Sequence, residues 1–149
     1  MYRRIVLGYD GTRAGRDALR QGTDLAILGK AQVYLLAVVA PELGIALAEA
    51  AAQSDLPERE GEEVRRVLME GAEELRCAGM SVETRLGAGK PAEEIGRVAR
   101  EIGGADLVVV GHREQSALAR WWSGSVGASL LADAPCSLLV AVSGTTPAR

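Results

Sequence analysis

The chain has no phenylalanine, five aromatic residues in all, one histidine and two cysteines among its 149 residues. His112, Cys77 and Cys136 are too few to furnish a four-ligand His/Cys zinc site. The two cysteines lie far apart in sequence and nothing points to an oxidising compartment. Both are therefore expected to be reduced, buried small residues. No long hydrophobic run is present either. The longest uncharged stretch, 134–148, is interrupted by Pro135, Ser137, Ser143, Gly144, Thr145, Thr146 and Pro147, too short and too polar to span a bilayer. The N-terminus reaches Asp10 before a signal-peptide apolar region can form, so the expected location is the cytoplasm. Neither sign of charge dominates: 17 Lys and Arg stand against 20 Asp and Glu, giving a net charge of −3. With a pI of about 5.3, there is no electrostatic footprint for nucleic acid or an anionic membrane.

What is present describes an ordinary globular domain. Hydrophobic residues make up 48% and charged residues 25% of the chain, so disorder is excluded. Eighteen glycines are scattered without a triplet period, which excludes a collagen-like chain. The length fits one domain, residues 1–149, with a core over 2–142 and a frayed tail over 143–149.

Short apolar runs alternate with longer amphipathic stretches. Strands are predicted at Ile5–Leu7, Val33–Val39, Leu107–Val110 and Leu138–Val142, whose nearly continuous apolar character suits parallel strands covered on both faces. Met80–Leu86 alternates apolar with polar residues and reads as a strand nearer an edge. Thr12–Leu28 reads as a helix capped by Thr12 and ended near Gly29. Val64, Val67, Leu68, Gly71 and Leu75 form one apolar stripe, with Gly79 as the residue just past the helix end. Pro91, Glu93 and Glu94 open a helix carrying Ile95, Val98, Ala99 and Ile102. Gly124–Ala132 opens a last helix that stops before Pro135, and Ala-rich Leu43–Gln53 suggests a short helix inside a long connection. The order β-α-β-α-β-α-β-α-β gives an α/β fold, an open five-stranded parallel sheet with helices on both faces.

In such sheets ligands bind beyond the carboxyl ends of the strands, where strand order reverses. Two loops have suitable chemistry. One is Tyr9-Asp10-Gly11-Thr12; the other runs from Gly111 to Val126 and ends Ser123-Gly124-Ser125 at a helix start. Free N–H groups there, with hydroxyls beside them, read either as a phosphate cradle or as a plain N-cap. Other motifs fail on context. Gly87-Ala88-Gly89-Lys90-Pro91-Ala92 fits a dinucleotide fingerprint in spacing, but it follows the third strand and Pro91 removes an N–H; it reads as a tight turn. A P-loop is excluded by Thr84 at the first glycine position and Pro91 at the Ser/Thr position. His112 has no GxSxG nucleophile to serve and reads as a loop residue. A phosphoacceptor receiver domain needs an aspartate ending strand three, where this chain has Arg85-Leu86-Gly87. Trp121 and Trp122 read as anchors of their loop or as a shield over a ligand.

The segments Ile5-Val6-Leu7-Gly8-Tyr9-Asp10-Gly11-Thr12, Gly87-Ala88-Gly89-Lys90-Pro91-Ala92-Glu93-Glu94-Ile95, Ala105–Gly111 and Ala134-Pro135-Cys136-Ser137-Leu138-Leu139-Val140 together resemble the universal stress protein family over residues 2–142. Gly111, Gly124 and Ser125 match the family's nucleotide signature, while Glu114 stands at its second glycine. The resemblance implies strand order 3-2-1-4-5 in a Rossmann-like, adenine nucleotide alpha hydrolase-like fold. It implies a regulatory protein of the stress response that binds ATP, AMP or a related adenine nucleotide between the first and fourth strands, with Mg or Mn as a possible companion. By position, Asp10 faces the adenosine and Val38 supplies main-chain contact to adenine. Gly111, Gly124, Ser125 and Val126 line the ribose and phosphates, with Arg113 as a basic neighbour. It also implies a homodimer joined through Ser137–Val142.

Glu114 is the departure. A carboxylate within about 4 Å of a phosphate charge costs roughly 1–4 kcal/mol per pair at surface-like dielectric, though Arg113 and Arg120 can offset it. The alternative is therefore a dimeric interaction module whose crevice stays empty. No side chain is evidently placed to activate water, so the expected turnover is at most slow ATP hydrolysis.

Overall fold

The computed structural model describes residues 1–39, 56–112 and 132–142. The elements are β1 (Arg4–Gly8), α1 (Arg13–Gly29), β2 (Gln32–Val39), α2 (Leu56–Cys77), β3 (Val82–Ala88), α3 (Pro91–Glu101), β4 (Leu107–His112) and β5 (Ser137–Val142). The strands form one parallel sheet in the order β3-β2-β1-β4-β5, as the resemblance implied. The expected helices at Leu43–Gln53 and Gly124–Ala132, and the tail at 143–149, lie outside the described residues or almost wholly so.

The apolar runs are continuous because both faces of the sheet are covered. Ile5, Leu7, Val33, Leu35, Leu107 and Val109 point to the face carrying α1 and α2. Their neighbours Val6, Leu36, Val108 and Val110 point to the face carrying α3. Each fully buried Leu or Val contributes about 1.5–3 kcal/mol relative to exposure. The edge strand β3 lies two residues further along than Met80–Leu86. Met80 instead belongs to the turn closing α2, where its N–H donates to the Leu75 carbonyl at 3.1 Å. Gly79 takes φ +82° there, as its place past the helix end predicted.

α1 ends differently from the expectation. The left-handed residue is Lys30, with φ 49° and ψ 45°, whereas Gly29 is still helical. A Cβ at Gly29 would stand 2.5 Å from the Tyr2 carbonyl oxygen, so that glycine serves close packing against the N-terminus. The buried assignment of the cysteines is corrected as well. Cys77 is exposed and Cys136 half-buried, both as free thiols. On α2, Leu68, Ala72 and Leu75 face the sheet, and two residues beyond Leu75 a helix turns about 200°, carrying Cys77 to the solvent side. Burial, with a lesser push from Asp106, raises the pKa of the Cys136 thiol.

The amino ends of the central strands are clamped. Asp106 Oδ2 accepts the backbone N–H of Arg3 at 2.7 Å and of Arg4 at 2.8 Å. The Arg4 guanidinium donates to the carbonyls of Gly103 and Gly104 at 2.5 and 3.2 Å. Those two backbone donors hold the Asp106 pKa below its ordinary value. Because the folded pKa is depressed, the stabilisation is complete above the unfolded value of about 3.9 and is lost as pH falls through the folded value. Asp106→Ala should accordingly lower the melting temperature at pH 6, with the gap to wild type narrowing as the pH falls below about 3.9. A gap independent of pH would mean that the clamp does not act through the carboxylate charge.

Candidate functional site

β1 is central in the sheet. The chain leaves it through α1 towards β2 on one side and meets β4 on the other, so the strand order reverses between β1 and β4. At such a reversal, loops leaving the carboxyl ends in opposite directions make room for a ligand crevice. The register pairs Gly8 with Leu36 and Leu7 with Val109. Continued by two residues each way, it carries Asp10 level with Val38 and Tyr9 level with Gly111. Three of the seven predicted site residues, Asp10, Val38 and Gly111, therefore share one end of three adjacent strands. Arg113, Gly124, Ser125 and Val126 lie outside the described residues, as do Glu114, Arg120, Trp121 and Trp122.

The loop after β1 is tightly organised. Gly11 has φ +77°, a left-handed turn that glycine adopts without strain, and a Cβ there would also meet Val67 Cγ1 at 2.8 Å. Asp10 is exposed, and its Oδ1 accepts from the Thr12 N–H at 3.0 Å and from the Thr12 hydroxyl at 2.5 Å. The Thr12 hydroxyl in turn accepts the Gly15 N–H at 3.1 Å, which confirms the predicted N-cap. The first turn of α1 contains no acidic residue, so Arg13 and Arg16 add positive charge beside the positive end of the helix dipole. Tyr9 is buried beneath the loop. Burial raises its phenol pKa, against the lowering effect of Arg16.

Gly111 is explained by packing. α1 lies across β1, β4 and β5, and its first turn runs directly over the end of β4. A Cβ at Gly111 would stand 2.2 Å from the Ala14 carbonyl oxygen and 2.9 Å from the Gly15 nitrogen. The carboxyl end of β4 and the first turn of α1 are thus closely packed through their backbones. At the neighbouring strand pair, Gly89 takes φ +123° in the tight turn expected between β3 and α3, and its N–H ties that turn to β2 by donating to the Val39 carbonyl at 3.0 Å.

Sequence reasoning did not single out Gly15 or Tyr9. A glycine inside an otherwise good helical pattern signals a packing or functional reason, and Ala14-Gly15-Arg16 carried that signal. Among the described residues, no three His, Cys, Asp or Glu side chains gather as a metal site. A groove of about 310 Å³ between α1 and α2, lined by Arg16, Arg20, Asp24, Glu74 and Leu75 among others, shares none of the crevice residues.

Comparison with known proteins adds a family to this geometry. The sequence model of the universal stress protein family matches residues 1–142. A universal stress protein of Methanocaldococcus jannaschii is 33% identical over 144 residues, covering 94% of this chain and 82% of the relative. A universal stress protein solved in complex with cAMP superposes with a TM-score of 0.68 at 23% identity, over 96% of this chain and 98% of the other. Another, from Archaeoglobus fulgidus and solved with dAMP, gives 0.63 at 22% identity, over 93% and 97%. At these identities the solved structures speak to the fold.

Proposed function

The chain belongs to the universal stress protein family, and from that premise we propose that it binds an adenine nucleotide, ATP foremost, as a regulatory ligand in the crevice between β1 and β4. The observation that carries this reading is the convergence of Asp10, Val38 and Gly111 on one end of β1, β2 and β4 at the point of strand reversal. Relatives of the same fold hold cAMP and dAMP, which supports the adenine nucleotide class. In this reading Asp10 meets the adenosine and the Val38 main chain meets adenine. Gly111, Gly124, Ser125 and Val126 line the ribose and phosphates, with Arg113 beside them and Mg or Mn as possible companion ion. The protein acts in the cytoplasm in a stress response, without robust turnover. It forms a homodimer along β5, an edge strand whose Val142 is 54% exposed.

A second reading keeps the fold and the dimer but leaves the crevice empty, so that the surface alone recruits a partner. Two observations favour it. Glu114 replaces a signature glycine with a carboxylate, and Gly111 has a packing reason that needs no ligand.

Denaturing freshly purified protein and identifying the released small molecules by mass spectrometry separates the two. Near-stoichiometric ATP or AMP is the expected result. A chain that comes empty, and that ignores added ATP with Mg²⁺ or Mn²⁺, would overturn the nucleotide reading in favour of the interaction module.

A further inference from the structure

We propose that Gly15, acting with Thr12, is a positioning residue for the Asp10 carboxylate: the missing Cβ at Gly15 is the space in which that carboxylate sits at the crevice. The inference rests on the adenine-nucleotide reading of the site and adds residues to it.

Two observations meet at one atom. Asp10 Oδ1 takes both protons that Thr12 offers, from its N–H at 3.0 Å and its hydroxyl at 2.5 Å. A hydroxyl has one proton to give, so the bond it accepts from the Gly15 N–H at 3.1 Å sets a directed chain, Gly15 to Thr12 to Asp10. Such chains polarise each member and strengthen the last bond. The same Oδ1 would stand 2.5 Å from a Cβ built on Gly15, well inside contact distance. The Tyr9 ring at 3.3 Å and the Asp10 backbone nitrogen at 3.4 Å crowd that Cβ as well. With those two fixed in the core and the main chain, the carboxylate is the group that must leave.

Backbone conformation does not explain the glycine. Gly15 is helical and is not among the positive-φ residues. It is buried, and alanine is the better helix former at such a position. The helix is thus held below its attainable stability at a position whose side chain would displace Asp10. Among the described residues, Oδ2 of the exposed Asp10 has no hydrogen-bond partner, so the arrangement fixes one oxygen and leaves the other for a ligand donor.

The test uses the full chain. Gly15→Ala should keep or raise the melting temperature while weakening ATP binding by roughly tenfold, the loss of one charge-assisted hydrogen bond. A merely structural glycine would move stability and affinity together. In an Asp10→Ala background, Gly15→Ala should have no further effect on affinity. Thr12→Val, which removes the hydroxyl and keeps the shape, should weaken binding in the same direction. Unchanged affinity in Gly15→Ala, or a full additional loss in the Asp10→Ala background, overturns the proposal. Wild-type protein that takes up no ATP sinks the ligand reading on its own. The χ1 populations of Asp10, read from three-bond couplings to Cγ by NMR, then decide the role of Gly15. One rotamer in wild type and a changed distribution in Gly15→Ala supports it, and identical distributions overturn it.

Discussion

Replacing Gly111 with valine is expected to destabilise the fold by about 3 kcal/mol, at the upper end of overpacking costs. For a chain of this length that lowers the melting temperature by roughly 6–12 °C. The size of the effect follows from what the new side chain would strike. The obstacles are the Ala14 carbonyl at 2.2 and 2.5 Å and the Gly15 nitrogen at 2.9 Å, all main-chain atoms of the capped first turn of α1. No rotamer change removes them, so α1 must lift from the end of β4. Gly96 in α3 is the control. The three atoms nearest to a Cβ there all belong to the Arg100 guanidinium, the closest 3.2 Å away at the end of a flexible side chain. Gly96→Ala should therefore be neutral or slightly stabilising, in line with the helix preference for alanine. Calorimetry on the two variants checks both signs. A Gly111→Val protein that melts like wild type would mean that the first turn of α1 yields where the packing says it cannot.

The second large effect concerns affinity. If the crevice holds a nucleotide as proposed, Glu114→Gly should tighten ATP binding by roughly fivefold to nearly a thousandfold, the equivalent of removing about 1–4 kcal/mol of repulsion between a carboxylate and a phosphate charge. Glu114→Gln separates charge from backbone freedom, because it removes the charge and keeps the side chain. Isothermal titration of all three proteins with ATP and Mg²⁺ measures the series. Equal affinities would place Glu114 away from the phosphates and remove the main argument for an empty crevice. A rise in Glu114→Gly alone would assign the effect to the backbone, where glycine enters conformations that glutamate resists.

Much of this molecule was readable before its structure. The apolar runs announced the parallel strands because those strands are covered on both faces, and a residue that meets a core on either side leaves little choice of type. The strand order placed the carboxyl ends of β1 and β4 side by side, since topology alone decides which strand ends are neighbours. Individual glycines were less legible. A sequence shows that a Cβ is absent and not what would fill the space. Gly29 looked like a helix terminator and proved to make room for the Tyr2 carbonyl, while Lys30 adopted the left-handed turn. Gly111 looked like a ligand contact, and the structure shows it as a seat for α1. Cys77 was misjudged because its type suggested burial, whereas its face is set by its spacing from Leu75. For β3, the alternation was seen correctly but the start was placed two residues early. Met80 is apolar and continues the pattern, yet it is taken by the turn that closes α2.

The clamp of Asp106 and Arg4 sits at the amino ends of the strands, and the proposed nucleotide site lies at their carboxyl ends. If the proposed site binds its nucleotide, holding and recognising fall to opposite rims of one sheet, with the buried cores of both faces between them. A lineage carrying this fold can rewrite the loops on the upper rim while the lower rim goes on closing the sheet. Divergence within such a family should then be lopsided, fast above and slow below.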